Sequence, residues 1–198
     1  MHSHFFAYLN RMKYIHRWGL MRATQPENDM EHALQVALLA HGMALMARRD
    51  FGRDVAPEHV LALAVYHDAP EVMTGDLPTP VKYKNERLRA AYKALEEESA
   101  CQMAQLLPPA LRGEMAGYLT GRCLSDGEKR ILKAADRLSA LIKCTEEVQA
   151  GNREFSSALA QQKAALTAMH CPEADYFLEH MLPCYAQNLD ELTRAEGD

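Results

Sequence analysis

The chain has 198 residues, is 48% hydrophobic and 25% charged, and is long enough for one domain that buries roughly 70% of the surface its unfolded form exposes. Its 22 basic and 27 acidic residues are mixed along the sequence for a net charge of -5, so no basic block tracks a nucleic-acid backbone and duplex binding is disfavoured. The five cysteines, Cys101, Cys123, Cys144, Cys171 and Cys184, are odd in number and contain no Cys-x-x-Cys pair, which excludes a disulfide framework and points to reduced thiols.

Taken in chain order, the sequence reads as all-α. Long stretches of Ala, Leu, Met, Glu, Gln, Lys and Arg are separated by short Pro and Gly punctuation, with few β-branched alternations. The N-terminal residues lack both a continuous apolar core and a small-residue cleavage site, so a cytoplasmic protein is expected. A first helix is predicted near 5–14, a loop over 22–28 and a second helix near 30–49. The most apolar stretch, 33–47, is interrupted by Gln35 and His41 and falls short of the ~18 residues of a membrane span; it reads as a buried helix.

Pro57 suits the first turn of a helix running to about Asp68, and Pro70 predicts a kink or restart, which puts Glu71 in the first turn of a new segment. Residues 74–80 (Thr-Gly-Asp-Leu-Pro-Thr-Pro) read as a rigid loop. A long helix follows over 85–107, then a shorter one after Pro109. Ser125 with Glu128 is a capping box that opens a helix to about Ala150, stopped by Gly151. Two further helices are predicted, the last bent at Pro183. No repeat or composition shift divides the chain, so residues 1–198 are expected to form one compact helical bundle.

His32, the pair His67-Asp68 and Asp136 stand on, or at the ends of, helices otherwise rich in apolar residues. An ionised carboxylate there costs several kcal/mol, about what an unpaired buried charge costs, unless a cation or hydrogen bonds offset it. Two imidazoles and two carboxylates form a mixed N/O donor set suited to Mn, Fe, Co, Ni or Zn. Taken singly, a histidine or aspartate in a helix is more often a core or surface residue than a ligand, and Asp136 lies beside the stripe of Ile131, Ala135, Leu138 and Ile142.

The order His, His-Asp, distant Asp resembles the pattern of the metal-dependent HD-domain phosphohydrolases. The flanks narrow the likeness: Glu31-His32, the run from Ala64 to Glu71, Thr74-Gly75-Asp76-Leu77-Pro78-Thr79-Pro80-Val81-Lys82, Lys133-Ala134-Ala135-Asp136 and Ser3-His4-Phe5-Phe6-Ala7 with Arg17-Trp18 resemble the bacterial YfbR-type 5′-deoxynucleotidases over nearly the whole chain. Met30 and Ala33 stand where serine is expected beside the first histidine, Pro70 stands in place of a serine before Glu71, and Gly19 in place of a proline.

The resemblance implies an all-α HD-domain bundle that hydrolyses 2′-deoxyribonucleoside 5′-monophosphates to deoxyribonucleosides and phosphate, one divalent ion held by His32, His67, Asp68 and Asp136, and a homodimer. It further implies catalytic roles for Glu71 and Asp68, and substrate contacts from Arg17, Trp18, His32, Asp68, Asp76, Leu77, Pro78 and Thr79. Residue chemistry agrees, with plainer alternatives beside it. Glu71 lies one turn past His67 and can move a proton, or it is simply a helix-start carboxylate. Arg17 offers a fork of donors matching a phosphate, Trp18 a flat wall for a sugar or a packing ring, and Asp76 an acceptor for a sugar hydroxyl or a turn former. The competing readings are another HD phosphohydrolase, acting on a nucleoside triphosphate, an alarmone or a cyclic nucleotide, and a non-catalytic nucleotide sensor.

Overall fold

A computed structural model describes residues 2–194, and among these the secondary structure is helical apart from one isolated antiparallel bridge between His16 and Asn28. The predicted first helix is α1 (Phe5–Leu9), tightened into a 3-10 turn over Asn10–Tyr14. Helix α2 (Asp29–Arg49) starts at a capping box: the Asn28 side chain accepts from the backbone of Met30 and Glu31, and Glu31 reaches back to the Asn28 N–H. Helix α3 (Pro57–Tyr66) begins at proline, whose missing N–H costs nothing in a first turn.

Pro70 does force a restart. It sits in helical conformation immediately before the single turn α4 (Glu71–Thr74), so Glu71 opens that turn as the sequence predicts, and Gly75 ends it at φ 72°. The rigid loop over 74–80 needs correction. Its second half is a turn of helix, α5 (Thr79–Lys82), because Pro80 falls in the first turn where its fixed φ favours helix.

Helices α6 (Glu86–Gln105), α7 (Pro109–Thr120) and α8 (Asp126–Gln149) follow, the last opened by the predicted Ser125–Glu128 capping box. Helix α9 (Ser156–Thr167) and helix α10 (Pro172–His180) are the two expected further helices. The chain then tightens to a 3-10 turn at Leu182–Ala186 around Pro183 and closes with a short α11 (Leu189–Leu192) that the sequence reading did not include.

Two hydrophobic clusters hold these elements. In the larger, the alanine-rich face of α2 (Val36, Ala37, Ala40, Ala44) packs on Val60 and Ala64 of α3 and on Ile131, Leu138, Leu141 and Ile142 of α8. Small residues on α2 let three helix axes approach closely, and truncating a fully buried leucine such as Leu138 would cost about 2–5 kcal/mol. The smaller cluster joins Phe5, Met12, Ala33, Ala69, Met103 and Leu107. The first turn of α2, the end of α3 and the middle of α8 meet between the clusters, so polar residues there are buried by both. The five cysteines are all free, and no helix among the described residues is long and apolar enough to cross a membrane.

Candidate metal centre

His32 lies in the first turn of α2, His67 and Asp68 at the end of α3, and Asp136 on α8, and the fold brings all four together. The Nε2 atom of His32 is 3.4 Å from Asp68 Oδ2 and 3.4 Å from Asp136 Oδ1, and His67 Nε2 is 3.2 Å from Asp68 Oδ2. Donor atoms of His32, His67 and Asp68 all lie within 4.8 Å of one another. Asp136 stands at the rim of that trio, with its Oδ2 2.6 Å from Lys133 Nζ.

Both imidazoles are oriented from behind. Ser139 gives its hydroxyl proton to Gln35 Oε1 at 2.6 Å, so its oxygen is left to accept from His32 Nδ1–H at 2.9 Å. The Ala64 carbonyl, which can only accept, lies 2.7 Å from His67 Nδ1. A proton is thereby held on each Nδ1, and in the neutral ring each Nε2 lone pair faces the carboxylates, the tautomer a metal ligand requires. Among the described residues neither buried Nε2 has a hydrogen-bond partner. These residues fit a divalent cation with N and O preferences.

Electrostatics follow from crowding. Burial works against charging His67, but the carboxylates of Asp68 and Asp136 outweigh it and raise its pKa. Burial likewise opposes ionisation of Asp68 and Asp136, yet the histidines, with Arg17 for Asp68 and Lys133 for Asp136, hold both well below the usual carboxylate range.

Arg17 reaches the same centre. Its backbone N–H donates to the Glu27 carbonyl at 2.9 Å and pins the strand-like segment before α2; its Nη1 donates to Asp68 at 3.4 Å and its Nε to Glu27 at 3.3 Å. Trp18 is half-buried, donates from Nε1 to Glu27 at 2.8 Å, and rests its ring 5.3 Å from that of Phe155. Glu71 is 7% exposed, and burial, followed by the charges of Asp68 and Asp29, pushes its carboxyl up to about 10.

The cleft has two arms. One, of about 660 Å³, is lined by Arg17, His67, Asp68, Glu71, Asp76 and Leu77. The other, of about 650 Å³, shares Arg17, Asp76 and Thr79 with it and adds Trp18, Pro78 and Gln162. Every site residue expected from sequence therefore lies at the centre or on a cleft wall. Four contributors were not anticipated: Asp29, Ser139, Lys133 as partner of Asp136, and Glu27, which holds both Arg17 and Trp18. Asn28 and Glu31 form an N-cap pattern that could have placed Asp29 in a first turn, but no local signal marks its burial.

A His, His-Asp, Asp cluster set on three packed helices defines the centre of an HD-type phosphohydrolase. The family model described as 5′-deoxynucleotidase YfbR-like matches residues 4–185, and the chain belongs to that family. It is 46% identical to the 5′-deoxynucleotidases YfbR of Shigella dysenteriae serotype 1 and of Escherichia coli strain K12, each over 97% of this chain and 96% of the relative. Among solved structures, an HD-domain phosphohydrolase from Listeria innocua superposes with a TM-score of 0.79 at 25% identity, covering 91% of this chain and 87% of that one. The HD phosphohydrolase of cyanophage S-2L, bound to dA and one catalytic Zn2+ ion, shares the fold at a TM-score of 0.64 and 20% identity, over 89% of this chain and 95% of that one.

Proposed function

We propose that this protein is a metal-dependent phosphomonoester hydrolase that cleaves 2′-deoxyribonucleoside 5′-monophosphates to deoxyribonucleoside and phosphate. The observation that carries this reading is the pair of imidazole Nε2 atoms, oriented from behind and unpartnered, converging on Asp68 and Asp136 at the floor of a cleft. His32, His67, Asp68 and Asp136 would hold one divalent ion, which when bound polarises the phosphate and lowers the pKa of water.

The chain's own groups do the rest. Arg17 presents its guanidinium beside Asp68, where it can orient a phosphate oxygen. Glu71 opens onto the same arm, and its Oε2 has no hydrogen-bond partner among the described residues, so it is the atom at which a proton from water can be held and passed on. A cation at the centre opposes the rise in its proton affinity. Asp76, Leu77, Pro78 and Thr79 with Trp18 form the wall for the sugar, and the polar Gln162 lines the arm beyond them.

Several of the basic groups near the cleft are already paired. Lys82 is tied to Glu96, Arg122 to Glu97 and Lys133 to Asp136, while Arg22 sits on the surface paired with Glu154. Arg17 and Lys133 are the cations that touch carboxylates of the centre. We also propose a homodimer, a reading consistent with the exposed Tyr176, Met181, Leu189 and Leu192 at the C-terminal end.

Phosphate release over a nucleotide panel tests the assignment. Activity is expected to vanish on exhaustive chelation and to return with a divalent metal; turnover persisting without metal would reject it. Packing of the Asp76–Thr79 wall against C2′ would leave an added hydroxyl without a partner at a cost of ~1–3 kcal/mol, or roughly five- to 150-fold in kcat/KM for deoxy over ribo substrates. Equal efficiencies would reject sugar exclusion and leave the phosphatase assignment intact.

A further inference from the structure

A second group of oxygens converges beside the first centre. One carboxylate oxygen each from Asp29, Glu71 and Asp76 lies within 4.8 Å of the other two. These come from the first turn of α2, from α4 and from the loop after Gly75, three segments with no sequence proximity between the first and the others. Asp29 is fully buried with the Glu71 carboxyl in hydrogen-bonding reach, and since ionised carboxylates only accept, neither Asp29 oxygen nor Glu71 Oε2 has a donor among the described residues. The nearest cation to Asp29 is Arg17, whose Nη1 is 4.0 Å away, beyond hydrogen-bonding range, and whose guanidinium already serves Asp68 at 3.4 Å and Glu27 at 3.3 Å. The one guanidinium within 4.0 Å of Asp29 is therefore shared with Asp68 and Glu27, and two carboxylates, Asp29 and Glu71, keep buried oxygens without a donor among the described residues. Buried carboxylates persist when they are paired or when they coordinate a metal.

We propose that Asp29, Glu71 and Asp76 form a second divalent-cation site, of all-oxygen character, suited to Mg2+ or Mn2+. Its chemistry separates it from the imidazole-bearing centre: carboxylate donors alone select hard cations, whereas mixed imidazole and carboxylate donors select transition metals. A cation there adds to the charge of Arg17 and holds the Glu71 carboxylate in place. The alternative occupant is a proton shared between two of the carboxyls, which adds no metal to the protein.

The site stands or falls independently of the phosphatase reading. Full-length protein stripped with chelator is titrated with Mn2+, and free ion is counted by electron paramagnetic resonance. Wild type is expected to bind two ions per chain, Asp29→Asn one, and His67→Ala one, with excess Mg2+ displacing only the ion that Asp29→Asn lacks. A single ion in wild type that is kept by Asp29→Asn and lost by His67→Ala overturns the proposal, as do two ions retained by Asp29→Asn. A single ion lost by Asp29→Asn and kept by His67→Ala upholds it and rejects the imidazole centre instead. Should Asp29→Asn fail to fold, as judged by circular dichroism, Asp76→Asn replaces it; the second Mn2+ is then expected to bind at least about tenfold more weakly, since carboxylate count sets affinity at oxygen sites. Unchanged affinity for both ions in that variant also overturns the site.

Discussion

The middle and the C-terminal end of α8 bury polar groups to opposite purpose. Near its C-terminus the Glu147 carboxylate, 1% exposed, is saturated: it accepts from the Thr24 N–H and hydroxyl, the Gln25 N–H, Asn152 Nδ2 and Lys143 Nζ, which together pull its pKa far down against the cost of burial. Three turns earlier Asp136 faces a centre in which His32 Nε2, His67 Nε2, both Asp29 oxygens and Glu71 Oε2 are buried without hydrogen bonds among the described residues. A saturated buried carboxylate spends its interactions on the fold, here by clamping the segment that leads from Trp18 into α2. Unsaturated atoms hold theirs for a ligand. Glu173 shows that lack of a partner alone is not enough: its Oε1 is also unbonded, but it stands apart from the other such atoms and has Arg53 Nε 3.3 Å away. Convergence of several such atoms is the distinguishing mark.

The contrast is sharpest where the unsaturated middle is cut. His67→Ala or Asp136→Ala is expected to bring phosphate release to background and to abolish ion binding at the centre, with little change in unfolding midpoint; a variant retaining activity would end the comparison. Glu71→Gln should lower kcat by about 10²–10⁴-fold, the usual contribution of a positioned acid or base, while the imidazole centre keeps its ion on elemental analysis. At the saturated end the outcome reverses. Glu147→Ala leaves Lys143 buried without its carboxylate, with only the Gln25 carbonyl to accept from it, and should cost about 3–5 kcal/mol in urea unfolding at neutral pH, with kcat little altered in the folded fraction.

Because the folded pKa of Glu147 lies below its ordinary value of 4.5, its stabilisation is complete above that value and disappears as the pH falls through the folded one. The stability gap between wild type and Glu147→Ala should accordingly be full at pH 7 and narrow on acidification below about pH 4.5. A gap independent of pH would show that packing, not charge, anchors the segment. The smallest effect is expected for Ser139→Ala, which frees the His32 ring to turn and should weaken ion binding by about 10–100-fold, read by calorimetry, without loss of fold.

Much of this was legible in one dimension because helices are local objects. Ser125 and Glu128, Pro57 and Gly151 mark helix ends through contacts with their own neighbours, and the structure finds α3 and α8 where those marks lie. The His67-Asp68 pair and the Gly75-Asp76-Leu77-Pro78 run were legible through resemblance. What escaped depends on pairing across distance. Asp29 carries no local mark of burial, which comes from segments distant in sequence, with Arg17 Nη1 4.0 Å away. Ser139 reads as a small helix residue until His32, 107 positions away, reaches it. Lys143 and Glu147 are an i,i+4 pair whose burial depends on Thr24 and Gln25, at least 118 positions away. The turn at Thr79–Lys82 was hidden by its prolines, which stiffen a loop and open a helix with equal ease.

The chain's only tryptophan, held in a left-handed backbone conformation at φ 60° by its bond to Glu27 and its contact with Phe155, has an optical consequence. Trp18 forms part of the same arm of the cleft as Pro78 and Thr79 while keeping its indole N–H on a carboxylate, so the protein's entire indole emission originates at one wall of the cleft. An occupant sliding against that wall replaces water beside the ring and changes the emission maximum and intensity. Unlabelled protein thus carries its own fluorescence gauge of occupancy, readable on the millisecond scale and separable from chemistry by omitting the metal.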